Sequence, residues 1–294
     1  MFINSPTTDK VNKCNIILFG PSGSGKSSFI KSIYRALYNN SVLPNEVVKR
    51  LVIKEKYHNE GTIYFTQLRL VEENKYNSGI ILCDTRGHFK MNEDEKEQFR
   101  LLLSGKVKDG VEIQQRTERN PLALWEFWKK DSELFPLEIF RAEEAGIESI
   151  PHEVVFVFDG STDEVIQKED EAFYKKLVNI SRKKGYDKIH VVLTRIDIIE
   201  KYMISAGQNL NDVEKNIQIN RIKDSKIEKI VNVLGINRSN VHFIENYHGD
   251  MKENSLEIDH SILKILYEIL NDAELFAVYY LNKTETCLAN CFGI

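Results

Sequence analysis

Cysteine is scarce in this sequence. The chain has four cysteines among 294 residues, too few and too scattered for a disulfide framework, and they lack the paired spacing of a zinc site. Cys14 and Cys83 lie in apolar runs and are expected to be small buried residues of strands. Cys291 stands fourth from the end, where a prenyl group would be attached, and Cys287 is a second acylation candidate. Because Gly293 is not aliphatic and no polybasic segment precedes it, we expect a plain apolar tail, with lipidation at Cys291 as the weaker alternative.

Charge of one sign and long apolar runs are lacking too. The 40 Lys and Arg residues against 44 Asp and Glu residues give a net charge of −4, and the basic residues form no stripe, so no nucleic-acid partner is expected. The sequence contains no long uncharged apolar segment and no secretory signal pattern at its N-terminus. We therefore expect a cytoplasmic protein that does not bind membranes, unless Cys291 is lipidated. With 42% hydrophobic residues, it can bury a sizeable core.

The most informative motif is the octet GPSGSGKS at 20–27, which has the spacing of a P-loop. Its glycines let consecutive N–H groups point inward at a helix N-terminus, where an anion is stabilised. Lys26 is expected to reach the β- and γ-phosphates and the Ser27 hydroxyl to bind Mg²⁺. An apolar run precedes the loop and apolar residues at helical spacing follow it, as a strand, loop and helix unit requires. The nucleotide-binding residues expected here are Gly20, Ser22, Gly23, Ser24, Gly25, Lys26, Ser27 and Ser28.

A second motif, Asp-Thr-Arg-Gly at 84–87, follows another apolar run. Asp84 is expected to hold Mg²⁺ through water, while the Gly87 amide would bond a γ-phosphate and sense its loss. Thr62 precedes a strand-like run at 63–71, where a GTPase places its first switch ligand. An ordinary β-branched residue at the start of a strand is the alternative for Thr62, and Thr66 and Ser41 are less well placed substitutes for the switch role. The expected Mg²⁺ ligands are thus Ser27, Thr62 and Asp84.

The third motif, Thr-Arg-Ile-Asp at 194–197, follows a mostly apolar run. Ligands collect at the carboxyl ends of strands in open α/β sheets. The Asp197 carboxylate could accept hydrogen bonds from guanine N1–H and its exocyclic amine, a donor pair that adenine lacks, so guanine is favoured. Arg195 stands where GTPases usually have lysine, and its guanidinium can stack on the base. A surface turn with an incidental Asp is the alternative. The nucleotide contacts expected at this end are Thr194, Arg195 and Asp197, together with Glu245 and Asn246 after a last strand at 241–244.

His88 bears on hydrolysis, because small signalling GTPases have a water-orienting glutamine directly after this glycine. His88 could position water itself, or a second protomer could complete the site in a nucleotide-dependent homodimer. A solvated histidine in a mobile loop is the third interpretation. The candidate catalytic residues are His88, Thr62 and Lys26, and we expect slow turnover.

The order of these patterns predicts an α/β fold of the P-loop NTPase G-domain type, with a doubly wound, mostly parallel sheet flanked by helices. A helical insertion is expected between the third and fourth core strands, and it carries Trp125 and Trp128. These two tryptophans are expected to form either an effector or dimer surface or an aromatic cluster packed under the insertion. Ser161 with Glu164 predicts a capping-box helix start. The expected boundaries are an N-terminal extension at 1–13, a G domain at 14–282 with its insertion at about 105–150, and a C-terminal tail at 283–294.

The motifs together resemble the interferon-induced protein 44-like GTPases. The resemblance rests on Leu-Cys-Asp-Thr at 82–85, Leu-Thr-Arg-Ile-Asp at 193–197 and Glu-Asn-Tyr at 245–247, and it extends over roughly 14–280. It implies a single cytoplasmic guanine-nucleotide-binding domain associated with innate immune responses. Arg195 replaces the family's lysine and Arg86 stands where members often have methionine, but neither change removes a phosphate or base contact.

We therefore expect a switch that binds GTP or GDP with Mg²⁺ and hydrolyses GTP slowly, in an innate immune or stress response, with an unidentified effector protein. Two alternatives stay open. A P-loop nucleotide kinase would also suit this loop, although no arginine-rich lid motif is evident. A GTP-dependent scaffold would bind the nucleotide without meaningful turnover, which fits His88 in place of glutamine.

Overall fold

The computed structural model describes residues 12–38, 43, 45–53, 64–71, 77–85, 87–88, 91–111, 145–205, 211–248, 251 and 253–292. Among the residues singled out in the sequence, those that lie outside this set are Ser41, Thr62, Arg86, Trp125, Trp128 and Gly293. Most of the expected insertion, 112–144, lies outside it as well, so the helical insertion stays a prediction.

The described residues form a single six-stranded sheet in the order β2-β3-β1-β4-β5-β6. Only β2 runs antiparallel, against β3, and the other pairs are parallel. The strands are β1 (Cys14–Phe19), β2 (Thr66–Val71), β3 (Asn77–Asp84), β4 (Glu153–Asp159), β5 (His190–Thr194) and β6 (Val241–Phe243). The α-helices are α1 (Lys26–Tyr38), α2 (Asn45–Val47), α3 (Glu93–Leu103), α4 (Glu171–Lys183), α5 (Ile196–Ser205), α6 (Asp212–Leu234) and α7 (Leu256–Phe292), with a π-helical turn at Val48–Ile53 and a 3₁₀ turn at Arg238–Asn240.

Helices cover both faces of the sheet, and β1 shows why the fold is doubly wound. All six of its residues are buried, as expected of a central parallel strand. Because side chains alternate along a strand, Ile17 and Phe19 pack in one core layer with residues of α3, α4 and α6. Ile16 and Leu18 pack in the other layer, with residues of α1 and α7. The predicted α/β class with a doubly wound, mostly parallel sheet is confirmed, and Cys14 and Cys83 are buried strand residues as expected.

The sheet order positions the site. The carboxyl ends of β1, β3, β4, β5 and β6 all lie at one edge because these five strands are parallel to one another. Ligands bind at this edge in open α/β sheets. The P-loop and the motifs at 84–87 and 194–197 directly follow or end these strands, so they meet there.

The capping-box prediction at Ser161 is wrong. The next helix, α4, begins ten residues later at Glu171. Ser161 instead donates both its backbone N–H (2.9 Å) and its hydroxyl (2.6 Å) to Asp159 Oδ1, an Asx-type turn. The hydroxyl that would cap a helix is therefore used to close the turn that follows β4.

The C-terminal boundary at 282–283 does not coincide with the end of a secondary-structure element. Helix α7 extends from Leu256 to Phe292, so Cys287 and Cys291 belong to its last turns. None of the helices in the described ranges combines the length and the apolar character needed to cross a membrane.

Candidate nucleotide-binding site

The P-loop connects β1 to α1, and its glycines are required by close packing. A Cβ built on Gly20 would lie 2.0 Å from the Val157 carbonyl oxygen of β4, so no side chain fits there. Gly25 has a φ of +96°, and a Cβ there would lie 3.1 Å from the Thr194 side chain. Glycine adopts such left-handed conformations without steric cost. The loop can therefore lie directly against the ends of β4 and β5.

Lys26 closes this loop on itself. Its side chain is buried, and Nζ donates hydrogen bonds of 2.9 Å to the carbonyl oxygens of Gly20 and Pro21. Burial lowers the pKa of Lys26 to about 8, against an opposing effect of Asp84. The ammonium form still predominates at neutral pH, so a cation is held at the P-loop, as phosphate binding requires.

Ser27 and Asp84 meet although they are 57 positions apart in the sequence. The Ser27 hydroxyl donates to Asp84 Oδ2 at 2.6 Å, and Asp84 is fully buried at the end of β3. A hydroxyl and a carboxylate are hard oxygen ligands of the type that Mg²⁺ prefers, with water completing its shell. These two residues therefore fit a magnesium ion.

The segment after Asp84 lies directly on the P-loop. A Cβ on Gly87 would lie 2.4 Å from Ser22 Cα, so only glycine allows this approach. Two backbone hydrogen bonds hold the segment: Ser22 N–H donates to the His88 carbonyl at 3.2 Å, and His88 N–H donates to the Gly20 carbonyl at 3.4 Å. The backbone of Gly87 is thereby placed beside the loop that would bind phosphates.

The imidazole of His88 is buried, so the interpretation as a solvated histidine is wrong. The ring stacks on Phe19 with centroids 4.9 Å apart, and Nε2 lies 2.5 Å from the Tyr174 hydroxyl. Burial, with a contribution from Lys26, holds the pKa of His88 well below its usual value. The ring is neutral and contacts the aromatic side chains of the core; its catalytic role stays a prediction.

Residues 194 and 195 fasten the third motif to the P-loop. The Thr194 hydroxyl donates to the Ser24 carbonyl at 2.8 Å, and Arg195 Nη2 donates to the Gly23 carbonyl at 2.9 Å. Asp197 follows in the first turn of α5, where the carboxylate accepts a 2.9 Å hydrogen bond from Lys201. The residues expected to select the base are thus fixed relative to those expected to hold the phosphates.

Asn246 also lies at this junction. A Cβ built on Gly25 would be 3.3 Å from Asn246 Nδ2, and the Ile196 N–H reaches the Ile244 carbonyl at 3.4 Å. Glu245 and Asn246 directly follow these contacts, beyond the end of β6. The structure therefore places Thr194, Arg195 and Asn246 against the P-loop, whereas the His88 side chain points into the core.

Sequence reasoning missed Asp159, the last residue of β4. Its carboxylate forms an ion pair with Arg195 Nη1 and accepts the two hydrogen bonds from Ser161. A signal was available, since Asp159 ends a buried strand just as Asp84 does.

Curated proteins similar in sequence share one name. Interferon-induced protein 44 from Pan troglodytes is 26% identical over 278 residues, covering 92% of this chain and 54% of that protein. The Homo sapiens protein is 26% identical over 279 residues with the same coverage. The Mus musculus protein is 24% identical over 275 residues, covering 92% of this chain and 57% of its own length. The chain thus spans about half the length of the curated relatives it matches.

Solved structures with similar folds are more distant. A dimerization-deficient mutant of Toc33 from Arabidopsis thaliana is 12% identical, with a TM-score of 0.49 over 90% of this chain and 86% of that one. The GTPase-like domain of Ski7 from S. cerevisiae, solved with GTP, is 12% identical, with a TM-score of 0.44 over 92% of this chain and 52% of that one. No protein-family model matches the sequence. The matches to curated proteins nevertheless confirm the resemblance suggested by the motifs: over nearly its whole length, this chain is similar to the interferon-induced protein 44-like family.

Proposed function

We propose that this chain binds GTP and GDP with Mg²⁺ and acts as a slowly hydrolysing conformational switch. One observation carries the proposal: Thr194 and Arg195 hydrogen-bond the P-loop carbonyls at Ser24 and Gly23, with Asp197 two residues further on. A cation-holding phosphate loop and a carboxylate suited to guanine are thereby joined in one rigid unit. The expected nucleotide would bridge them.

Different residues of the chain would bind the phosphates, hold the Mg²⁺ ion and sense the γ-phosphate. The P-loop amides and Lys26 would bind the phosphates, and Ser27 and Asp84 would hold Mg²⁺, which supplies neutralisation of phosphate charge. The Gly87 amide would bond the γ-phosphate, and loss of that bond on hydrolysis would release the segment that now lies against Ser22. Thr62 would complete the switch, as the sequence suggests.

Guanine selectivity tests the proposal. Binding of labelled GTP and ATP should be titrated with Mg²⁺ against the wild type and Asp197→Asn, with Asp224→Asn as the control, since Asp224 is a surface residue paired with Arg238. Removing a bidentate carboxylate contact should weaken GTP binding by roughly 10- to 100-fold. Xanthosine triphosphate should gain affinity, because the Asn amide can donate to the oxygen that replaces the guanine amine. Equal binding of ATP and GTP by the wild type would refute guanine selectivity.

A scaffold that binds GTP without turnover is the second candidate, favoured by the burial of His88. Single-turnover hydrolysis measured over a range of protein concentrations separates the two. A rate constant that rises with concentration would support completion of the site by a second copy of the chain, in a nucleotide-dependent homodimer. The absence of measurable turnover at every concentration would support the scaffold.

The cellular setting is proposed from sequence similarity alone. The relatives are named as interferon-induced, and we extend to this chain a cytoplasmic role in an innate immune or stress response. Quantifying the transcript and the location of the tagged protein before and after an immune stimulus would test it. Unchanged levels, or location in another compartment, would contradict it.

A further inference from the structure

Asp159 is the centre of a small polar network beside the P-loop. Its Oδ1 atom accepts the Ser161 N–H at 2.9 Å and the Ser161 hydroxyl at 2.6 Å, and Oδ2 pairs with Arg195 Nη1. Both carboxylate oxygens are therefore engaged, one by the turn after β4 and the other by the motif after β5. The carboxylate is held in one orientation before it contacts Arg195.

Arg195 is fixed from two sides. Nη1 contacts Asp159, and Nη2 donates to the Gly23 carbonyl at 2.9 Å. The backbone at Arg195 has a φ of 60°, a left-handed conformation that is uncommon for a residue other than glycine. Its side chain is nonetheless 44% exposed. A planar cation thus lies beside the P-loop, oriented by two acceptors, with much of its surface open to a ligand.

The backbone reinforces this arrangement. Gly160 N–H donates to the Thr194 carbonyl at 2.9 Å, and a Cβ on Gly160 would lie 2.7 Å from that same oxygen. The residue after Asp159 is therefore joined to the residue before Arg195. The backbones that carry the two charged side chains are thereby held next to each other.

We infer that Asp159 is a positioning residue. It fixes the orientation of the Arg195 guanidinium plane, which forms one wall of the nucleobase site. The inference rests on the proposed function and deepens it. A guanidinium stacks on a planar ring and binds acceptors in a fixed fork, whereas a lysine ammonium at this position would do neither. The plane of an arginine at this position is set by its acceptors, and Asp159 is the charged acceptor of the two.

Because Asp159 is negatively charged, positioning and simple electrostatics predict opposite changes in GTP affinity when it is neutralised. A carboxylate beside a triphosphate site repels the ligand, so neutralising Asp159 should tighten GTP binding if electrostatics alone mattered. Positioning predicts the opposite result. Asp159→Asn should weaken binding of labelled GTP and GDP by about five- to tenfold through lost orientation of Arg195. Tripolyphosphate, measured by displacement of labelled GTP, should bind unchanged or more tightly because it has no base.

A double-mutant cycle separates positioning from general damage. Arg195→Lys keeps the charge but loses the planar fork, so adding Asp159→Asn to it should cost less than about a further twofold in GTP affinity. Asp224→Asn, which breaks the ion pair with Arg238 on the surface, should leave the affinity unchanged. Ser161→Ala is a gentler variant for the case in which Asp159→Asn does not fold, and it should weaken GTP binding about twofold by loosening the carboxylate.

The outcomes distinguish this inference from the function on which it rests. Unchanged or tighter GTP binding by Asp159→Asn, or full additivity with Arg195→Lys, would overturn the positioning role while guanine binding stood. If Asp159→Asn did not fold, unchanged binding by Ser161→Ala would overturn it instead. A wild type that bound no guanine nucleotide would refute both.

Discussion

Acidification should destabilise this protein through His152. The residue directly precedes β4 and is fully buried, with Nδ1 accepting the Asn15 N–H at 2.9 Å and its ring edge-on to Phe276. Burial lowers the pKa of His152 to about 4. The unfolded chain, in which a histidine has a pKa near 6.5, therefore binds the proton more tightly than the folded chain does. Stability supplied by the neutral ring is fully present above about pH 6.5 and is lost as the pH falls towards 4.

The size of this effect follows from the two pKa values. Between pH 7.5 and pH 5, the free energy of unfolding should fall by about 2 kcal/mol because one such histidine takes up a proton on unfolding. Glu153 acts in the opposite direction, since burial raises its pKa and the folded chain therefore binds this proton more tightly than the unfolded chain does. The pH dependence of the wild type alone is thus a difference of opposing contributions. Comparison with a variant that lacks His152 isolates the histidine.

The assay is urea unfolding at several pH values for the wild type, His152→Asn and His260→Asn, where His260 is an exposed residue of α7. His152→Asn should be less stable at pH 7.5, because it loses buried contacts, yet should lose about 2 kcal/mol less than the wild type on going to pH 5. His260→Asn should follow the wild type closely. If the free energy of unfolding fell by the same amount with pH in the wild type and in His152→Asn, the reasoning would be refuted.

Two further predictions concern the site. Gly20→Ala should abolish nucleotide binding and lower the free energy of unfolding by about 2 kcal/mol or more, because its Cβ would lie 2.0 Å from a carbonyl oxygen. Gly146→Ala is the control, since a Cβ there meets nothing within 4 Å. Equal melting temperatures for the two variants would contradict the packing argument. Tyr174→Phe removes the hydroxyl that contacts His88 and should lower stability by about 1 kcal/mol without changing GTP affinity. A substantial rise in single-turnover hydrolysis in Tyr174→Phe would instead show that this contact restrains a catalytic His88.

The sheet edge was the most predictable part of the site. Each motif follows an apolar run, and parallel strands bring such ends together whatever the loops between them do. The contact between Ser27 and Asp84 follows from that rule, as does the position of residues 194–197. Pairing of individual side chains across the edge, such as Asp159 with Arg195, depends on how the side chains at the ends of β4 and β5 are oriented, and no spacing rule gives that orientation.

The errors have a common physical cause. Ser161 was expected to cap a helix, but the Asp159 carboxylate, two residues away, accepts its hydroxyl, and α4 begins at Glu171. A loop position such as that of His88 is typical of a solvated residue, but its ring packs on Phe19. In both cases the side chain contacts a partner other than the one that the pattern assumes, a neighbouring carboxylate for Ser161 and the distant Phe19 for His88.

The P-loop contacts the segments at the ends of three strands, and these contacts differ in length. The segment after β3 bonds it through His88, β4 limits it at Gly20, and the motif after β5 bonds it at Gly23 and Ser24. Of these contacts, the bonds through His88 are the longest, at 3.2 and 3.4 Å, and they belong to the segment that would sense the γ-phosphate. The contacts towards the base are shorter and include a charged group, so the base side should stay fixed. Under the proposed function, loss of the γ-phosphate should therefore move the segment after β3 and leave residues 194–197 in place.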